Sequence, residues 1–460
     1  MKRLVLAGMT LCLLACQQKT ENGSAPESDY TPKEYVQVKH PEWAQAATIY
    51  EVNVRQYTKE GTFRAFESHL PRLKKMGIDI IWLMPVHPIG VEKRKGTLGS
   101  YYSIIDFYGV NPEFGTKEDF KHLVKAVHDK GMHLIIDWVA NHSSWDNPLA
   151  KEHPDWYTKT PEGHFQPTPW YDWDDVIDFD YDNAGLRKYM TDVMVYWVRD
   201  MGIDGFRCDT AGFVPVDFWD NVRARLDAIK PVFMLGEWES RDLHAKAFDM
   251  TYAWSLWDKM VAVTRDGKPV GGIVEYLAHD VSTFPRDAYR MTFTDNHDKN
   301  SWEGNPYKNF GEALDAAIVL TGTVNGMPLV YSGQEAGLDR SLAFFEKDEI
   351  TWKDDPHAAL FRTLFDLKHR NKALWNGKAG GVMIRIFNNK PDQVISFSRT
   401  SGNDQVISII NFSKLPAEVT LDSNYQKGSY KELFSGATVE LKGDDVFSLP
   451  AWGYKVLVKP

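Results

Sequence analysis

Between residues 48 and 331, short apolar runs suited to β-strands alternate eight times with stretches long enough for a helix, and this leaves few folds open. The runs cover residues 48–54, 78–83, 132–138, 203–208, 232–235, 248–252, 288–293 and 328–331. The pieces between them include 62–76, 117–130, 184–201, 215–229 and 311–321. Several repeat apolar residues at helical spacing, as in Phe120, Leu123, Val124 and Val127. Eight strand-then-helix units predict an α/β fold, a parallel (β/α)8 TIM barrel. An open doubly wound sheet is the competitor, but no glycine-rich phosphate loop follows the first run. The 460 residues suffice for one barrel and an appendage.

The barrel pattern is interrupted once and then stops. After the third run the chain swells with Trp, Pro, His and Asp, so residues 141–182 read as a small inserted domain on the catalytic face, dividing the barrel into 41–140 and 183–378. From about residue 380 short alternating strands take over, and 379–460 read as a C-terminal antiparallel β-sandwich.

At the other end, Met1-Lys2-Arg3 and the apolar stretch after it suit an export signal over residues 1–15, too short to span a membrane. The stretch closes on Leu13-Leu14-Ala15-Cys16, the pattern of a bacterial lipobox, in which Cys16 is acylated after cleavage. An ordinary soluble signal peptide is the plainer alternative. Residues 16–40 are then a flexible tether, and the expected location is outside the cytoplasm, anchored to a membrane by the lipid on Cys16. Losing Cys12 and acylating Cys16 would leave only Cys208 of the three cysteines, so no intramolecular disulfide is expected.

Charge narrows the partners. The chain carries 53 Lys and Arg against 63 Asp and Glu, a net charge of −10, and no basic run longer than Lys93-Arg94-Lys95. Nucleic acid is an unfavourable partner for such a surface, whereas a neutral sugar fits both the charge and the 13% aromatic content.

In a parallel barrel, chemistry sits where the strands end, and here those ends are acidic: Asp137, Asp209, Glu237, Asp295 and Asp298. Side chains two apart on a strand share a face, so Arg207 and Asp209 point into the barrel together, with Cys208 a buried apolar filler. A guanidinium within a few ångströms lowers a carboxylate pKa by about 1–3, which suits a nucleophile. A plain structural ion pair is the alternative. Glu237 lies between the apolar run 232–235 and Trp238, a setting that desolvates a carboxyl and keeps its proton, as a general acid requires. One charged and one protonated carboxyl are the machinery of glycoside hydrolysis.

These stretches resemble, in order, the characteristic segments of the α-amylase family, glycoside hydrolase family 13: 137–142, 205–209, 235–237 and 293–298, with 176–180 similar to the short motif closing the inserted domain, and 326–335 to the eighth strand. Tyr102 and Asp106 match a segment supplying a stacking tyrosine. The resemblance implies cleavage of α-1,4-glucosidic bonds in starch, maltodextrin or related α-glucans through a covalent glucosyl-Asp209 intermediate. Glu237 is then acid and base, and Asp298 the residue that binds and distorts the sugar. Arg207, His142 and His297 would hydrogen-bond that sugar, and Tyr102 would form its platform. Asn141 and Asp178 match positions that often bind a structural calcium, and no organic cofactor is implied. One departure is plain: many family amylases carry Lys-His three and four positions after the nucleophile, where this chain has Gly212-Phe213. An exo-acting α-glucosidase or a transglycosylase therefore stays open, as does a glycan-binding lipoprotein without turnover. The C-terminal sandwich is either a starch-binding module or a passive lid on the barrel.

Overall fold

The computed structural model describes residue 31 and residues 33–422 and 427–460; the expected signal peptide, Cys16 and most of the tether lie outside them. Residues 36–460 form one compact unit. Among the described residues, no helix is long and apolar enough to cross a membrane.

All eight expected strands form: β1 (Ile49–Val52), β2 (Ile80–Leu83), β3 (His133–Trp138), β4 (Gly205–Cys208), β5 (Phe233–Gly236), β6 (Met250–Tyr252), β7 (Tyr289–Thr292) and β8 (Met327–Tyr331). They pair in parallel, each with its neighbours in sequence, and β8 closes on β1. Every strand is buried along most of its length, as expected where helices cover a sheet whose interior is filled by side chains. The helix Lys117–Asp129 presents Phe120, Leu123, Val124 and Val127 to the core, and its start is fixed by reciprocal bonds between Thr116 and Asp119.

Several connections depart from the simple repeat. The stretch 62–76 is two helices, Phe63–Glu67 and Leu70–Met76, because Pro71 has no N–H to continue the first. Between β5 and β6 no α-helix forms, only the 3-10 turn Asp242–His244, so the eight-unit reading needs correcting there. Between β6 and β7 there are two helices, Trp254–Thr264 and Gly271–Thr283.

In the insertion, His142–Ser144 pairs antiparallel with Val176–Asp178, returning the chain to the mouth it left. The C-terminal strands form a six-stranded antiparallel sheet and a separate pair, Ala417–Thr420 with Val446–Leu449. Ile407, Ile409 and Leu457 of the larger sheet share a core with Val419 and Leu449 of the pair. The sandwich is therefore lopsided, because six strands of one layer face only two of the other.

Candidate active site

The carboxyl ends of the strands converge on one fully buried guanidinium. Arg207, from β4, donates through Nη1 to Asp209 Oδ1 at 2.8 Å and to Asp137 Oδ1 at 2.9 Å, and through Nε to the Tyr252 hydroxyl at 3.1 Å. Its Nη2 lies 2.9 Å from Glu237 Oε2, at an angle that does not make a hydrogen bond. Register explains the cluster: Asp137 of β3 and Arg207 of β4 are direct neighbours across the sheet. Cys208, on the opposite face, is buried among apolar groups and its thiol is pushed well up by burial.

A strained residue ties the two outer acids together. Thr210 takes φ +41° and ψ +42°, a left-handed conformation costly for a β-branched side chain, of order 1–3 kcal/mol. This turn aims its N–H at Glu237 Oε2, 2.8 Å away, while its hydroxyl donates to Asp209 Oδ2 at 3.3 Å. One guanidinium and one residue thus bridge Asp209 and Glu237.

A second network comes from β1, β7 and the segment after β2. His297 Nδ1 lies 2.5 Å from Glu51 Oε1, and its Nε2 2.7 Å from the Tyr102 hydroxyl. That hydroxyl donates to Asp137 Oδ2 at 3.1 Å, so it accepts from His297. Burial pulls the imidazole pKa down, but Asp298 and Glu51 raise it to about 9, so both ring nitrogens donate. His297 Nε2 also lies 3.4 Å from Asp298 Oδ2.

The acids differ in environment. Burial drives the Glu237 carboxyl well above the usual carboxylate range; Arg207 pulls it down, while Asp209 and Asp298 push it further up. Burial likewise raises Asp137, to about 7, against the opposing pull of Arg207. Asp209 keeps a direct charge-assisted bond to Arg207 at 2.8 Å. Above these groups opens a cavity of about 500 Å³, lined by Tyr102, His142, Asp209, Glu237, His297 and Asp298 among others.

Residues 32–383 match the model of the α-amylase catalytic domain, and 384–456 that of the maltogenic amylase C-terminal domain. The chain belongs to the α-amylase family. It is 28% identical over 439 residues to α-amylase MalA of Haloarcula japonica, covering 89% of this chain but only 63% of that protein's length. Among solved structures it resembles a noncanonic maltogenic α-amylase, AmyB, of Thermotoga neapolitana, at 34% identity and TM-score 0.82 over 90% of this chain and 98% of that one. An α-amylase from Lactobacillus plantarum gives 28% identity and TM-score 0.80, over 90% and 99%.

Of the residues expected to meet sugar, six line this amylase-family cavity and one does not. Arg207 lies beneath the floor, with no exposed surface; its Nε and Nη1 donate to Tyr252, Asp137 and Asp209, and its Nη2 faces Glu237. Asn141 and Asp178, expected to hold calcium, are brought within hydrogen-bond distance of each other. Asn141 Nδ2 donates to Asp178 Oδ1 at 3.1 Å, and the hydroxyls of Thr168 and Thr158 donate to Asp178 at 2.9 and 3.2 Å. Asp178 therefore meets three hydrogen donors at this position. Sequence reasoning missed Glu51 and Tyr252, which orient His297 and Arg207 from β1 and β6. The only available signal was a carboxylate inside the apolar run Ile49-Tyr50-Glu51-Val52.

The Gly212-Phe213 departure has a physical reason. A Cβ on Gly212 would fall inside the indole of Trp238, the residue after Glu237, and Phe213 packs edge-on to the same indole at 5.0 Å. Trp238 therefore requires glycine at 212. Gly212→Ala is expected to displace the indole and lower stability by about 1–3 kcal/mol, read as a lower midpoint in urea unfolding, with reduced turnover.

Proposed function

We propose that the chain is a retaining hydrolase of α-1,4-linked glucans. The observation that carries this reading is the pairing of Asp209 with Glu237 at one guanidinium, the first hydrogen-bonded to it and the second driven by burial toward its protonated form. The Asp209 carboxylate attacks the anomeric carbon while Glu237 gives its proton to the departing glycosidic oxygen, leaving a glucosyl ester on Asp209. Esterification removes the Asp209 charge, one of the groups that raise Glu237. Arg207 then favours the Glu237 carboxylate, which takes a proton from the water that hydrolyses the ester. Asp298, with 35% of its side chain exposed in the cavity, is placed to bind sugar hydroxyls, beside Tyr102, His142 and His297. The role left to Arg207 is to orient Asp209 rather than to touch sugar. The names of the similar proteins, α-amylases and a maltogenic α-amylase, support an α-glucan substrate. A second reading, exo-acting α-glucosidase or α-glucan transglycosylase, is favoured by the aromatic contacts of Phe213 and Trp238 beside Glu237, which offer a face to a sugar acceptor. Export and lipid anchoring through Cys16 belong to the same proposal, and mass spectrometry of the mature amino terminus is expected to find an acylated cysteine.

Asp209→Asn is expected to keep the fold, by circular dichroism, and to lower kcat on maltooligosaccharides by roughly 10⁴ or more; an active variant would refute the assignment. The pH profile follows from Glu237. Its protonated form is the working acid, so kcat/KM falls as pH rises through its pKa, and the upward displacement by burial moves that fall well above the ordinary glutamate range. In Glu237→Gln this limb should vanish from the profile measured with an aryl glycoside whose leaving group needs no protonation.

A further inference from the structure

Glu51 is a carboxylate inside the first strand, with no exposed surface and no place in the wall of the cavity. Burying an unpaired charge is costly. Among the described residues its side chain has one hydrogen-bond partner, His297, whose Nδ1 lies 2.5 Å from Oε1; Oε2 has none. The other ring nitrogen, Nε2, lies 2.7 Å from the Tyr102 hydroxyl and 3.4 Å from Asp298 Oδ2. Tyr102 in turn lies 3.1 Å from Asp137 Oδ2, and Asp137 Oδ1 shares Arg207 Nη1 with Asp209. An unbroken line of hydrogen bonds thus runs from β1 to the nucleophile.

Protons can be ordered along this line in two ways, because a hydroxyl has one proton to give and a neutral imidazole carries one N–H. With an imidazolium, both ring nitrogens donate, Glu51 accepts at one end, and Tyr102 is free to give its proton to Asp137. With a neutral ring that donates to Glu51, Nε2 is bare and Tyr102 must turn its proton there. Asp137 then loses that donor and leans harder on the Arg207 nitrogen that it shares with Asp209. The charged groups facing the ring are Glu51 of β1, Asp137 of β3, Arg207 of β4 and, on its own segment, Asp295 and Asp298. Tyr102 stacks on it and Trp82 of β2 meets it edge-on. Asp298 lies on the Nε2 side, so among the described residues Glu51 alone accepts at Nδ1.

Resting on the hydrolase reading above, we propose that Glu51 is a positioning residue for the nucleophile, acting through His297 and Tyr102. Its carboxylate holds the ring doubly protonated, which turns the Tyr102 proton to Asp137 and leaves Arg207 better able to hold Asp209. Glu51 itself touches no sugar; it acts on the reaction through the order of protons. That order persists over the range in which Glu237 works as an acid, since burial pulls the imidazole down but Asp298 and Glu51 raise it to about 9.

The test is Glu51→Gln, an isosteric change that removes the charge, assayed with an aryl maltoside whose leaving group needs no protonation, so that Glu237 does not set the alkaline side. Without Glu51, one of the two carboxylates that raise His297 is gone. The ring then gives up its proton at lower pH, and kcat/KM falls from that lower pH upward. The expected result is an alkaline limb displaced downward by about one pH unit or more from the wild type, about tenfold in kcat/KM at a pH on that limb. A loss equal at every pH, or an unchanged profile, would overturn the inference and leave the hydrolase reading intact. Failure of the wild type to cut maltooligosaccharides would overturn the hydrolase reading itself, and the inference with it. Where the variant does not fold, NMR of the histidine ring nitrogens in the wild-type enzyme decides. The resonances absent from His297→Gln are expected to show both nitrogens protonated at about pH 7.5, with the Nδ1 proton far downfield as a short bond to a carboxylate gives; a neutral ring would overturn the inference.

Discussion

A single positive charge without solvent contact organises the mouth of this barrel. Arg207 stands among Asp137, Asp209 and Glu237, three carboxyls that would repel one another if all were ionised in a buried space. One guanidinium cannot balance three charges. The outcome is a division of labour in which burial pushes Asp137 and Glu237 up, so that they hold protons more readily, while Asp137 and Asp209 share the Nη1 of the arginine. The asymmetry that the chemistry needs follows from this shortage of positive charge.

The same economy explains the second network. Glu51 has no exposed surface and finds its counter-charge in His297, whose imidazolium holds the hydroxyl of Tyr102 and so orients the ring that lines the cavity. Strain is placed where it acts: Thr210 adopts a left-handed conformation unfavourable for its side chain, and its N–H meets Glu237 as a result. Around this rigid floor the variable parts are loops. The insertion, residues 91–99 and the segment after β8 meet one another at the cavity, so its reach depends on contacts among connections rather than on the barrel.

Much of this was legible in the chain. The period of apolar runs located all eight strands to within a few residues, because burial on both faces leaves a continuous apolar signature. The acids at the strand ends were legible for the same reason: a carboxylate that stops an apolar run stands out, as at Asp209 and Glu237. Local chemistry also set the helix start at Thr116 and the break at Pro71.

What the sequence could not disclose depended on groups far apart in the chain. The contact between Glu51 and His297 spans 246 positions and that between Thr97 and Glu346 spans 249, and no local pattern encodes either. The place of Arg207 under the floor, the hydrogen bonds that make Asn141 and Asp178 partners of each other, and the pressure of Trp238 on Gly212 were likewise decided only when the ring closed. Sequence alone determined which elements form and which side chains end them, since both rest on the periodicity of a strand and the cost of burying charge. Tertiary structure decided which of those side chains share one proton, one counter-ion or one end of a cleft, since those are properties of distance and dielectric that exist only between elements.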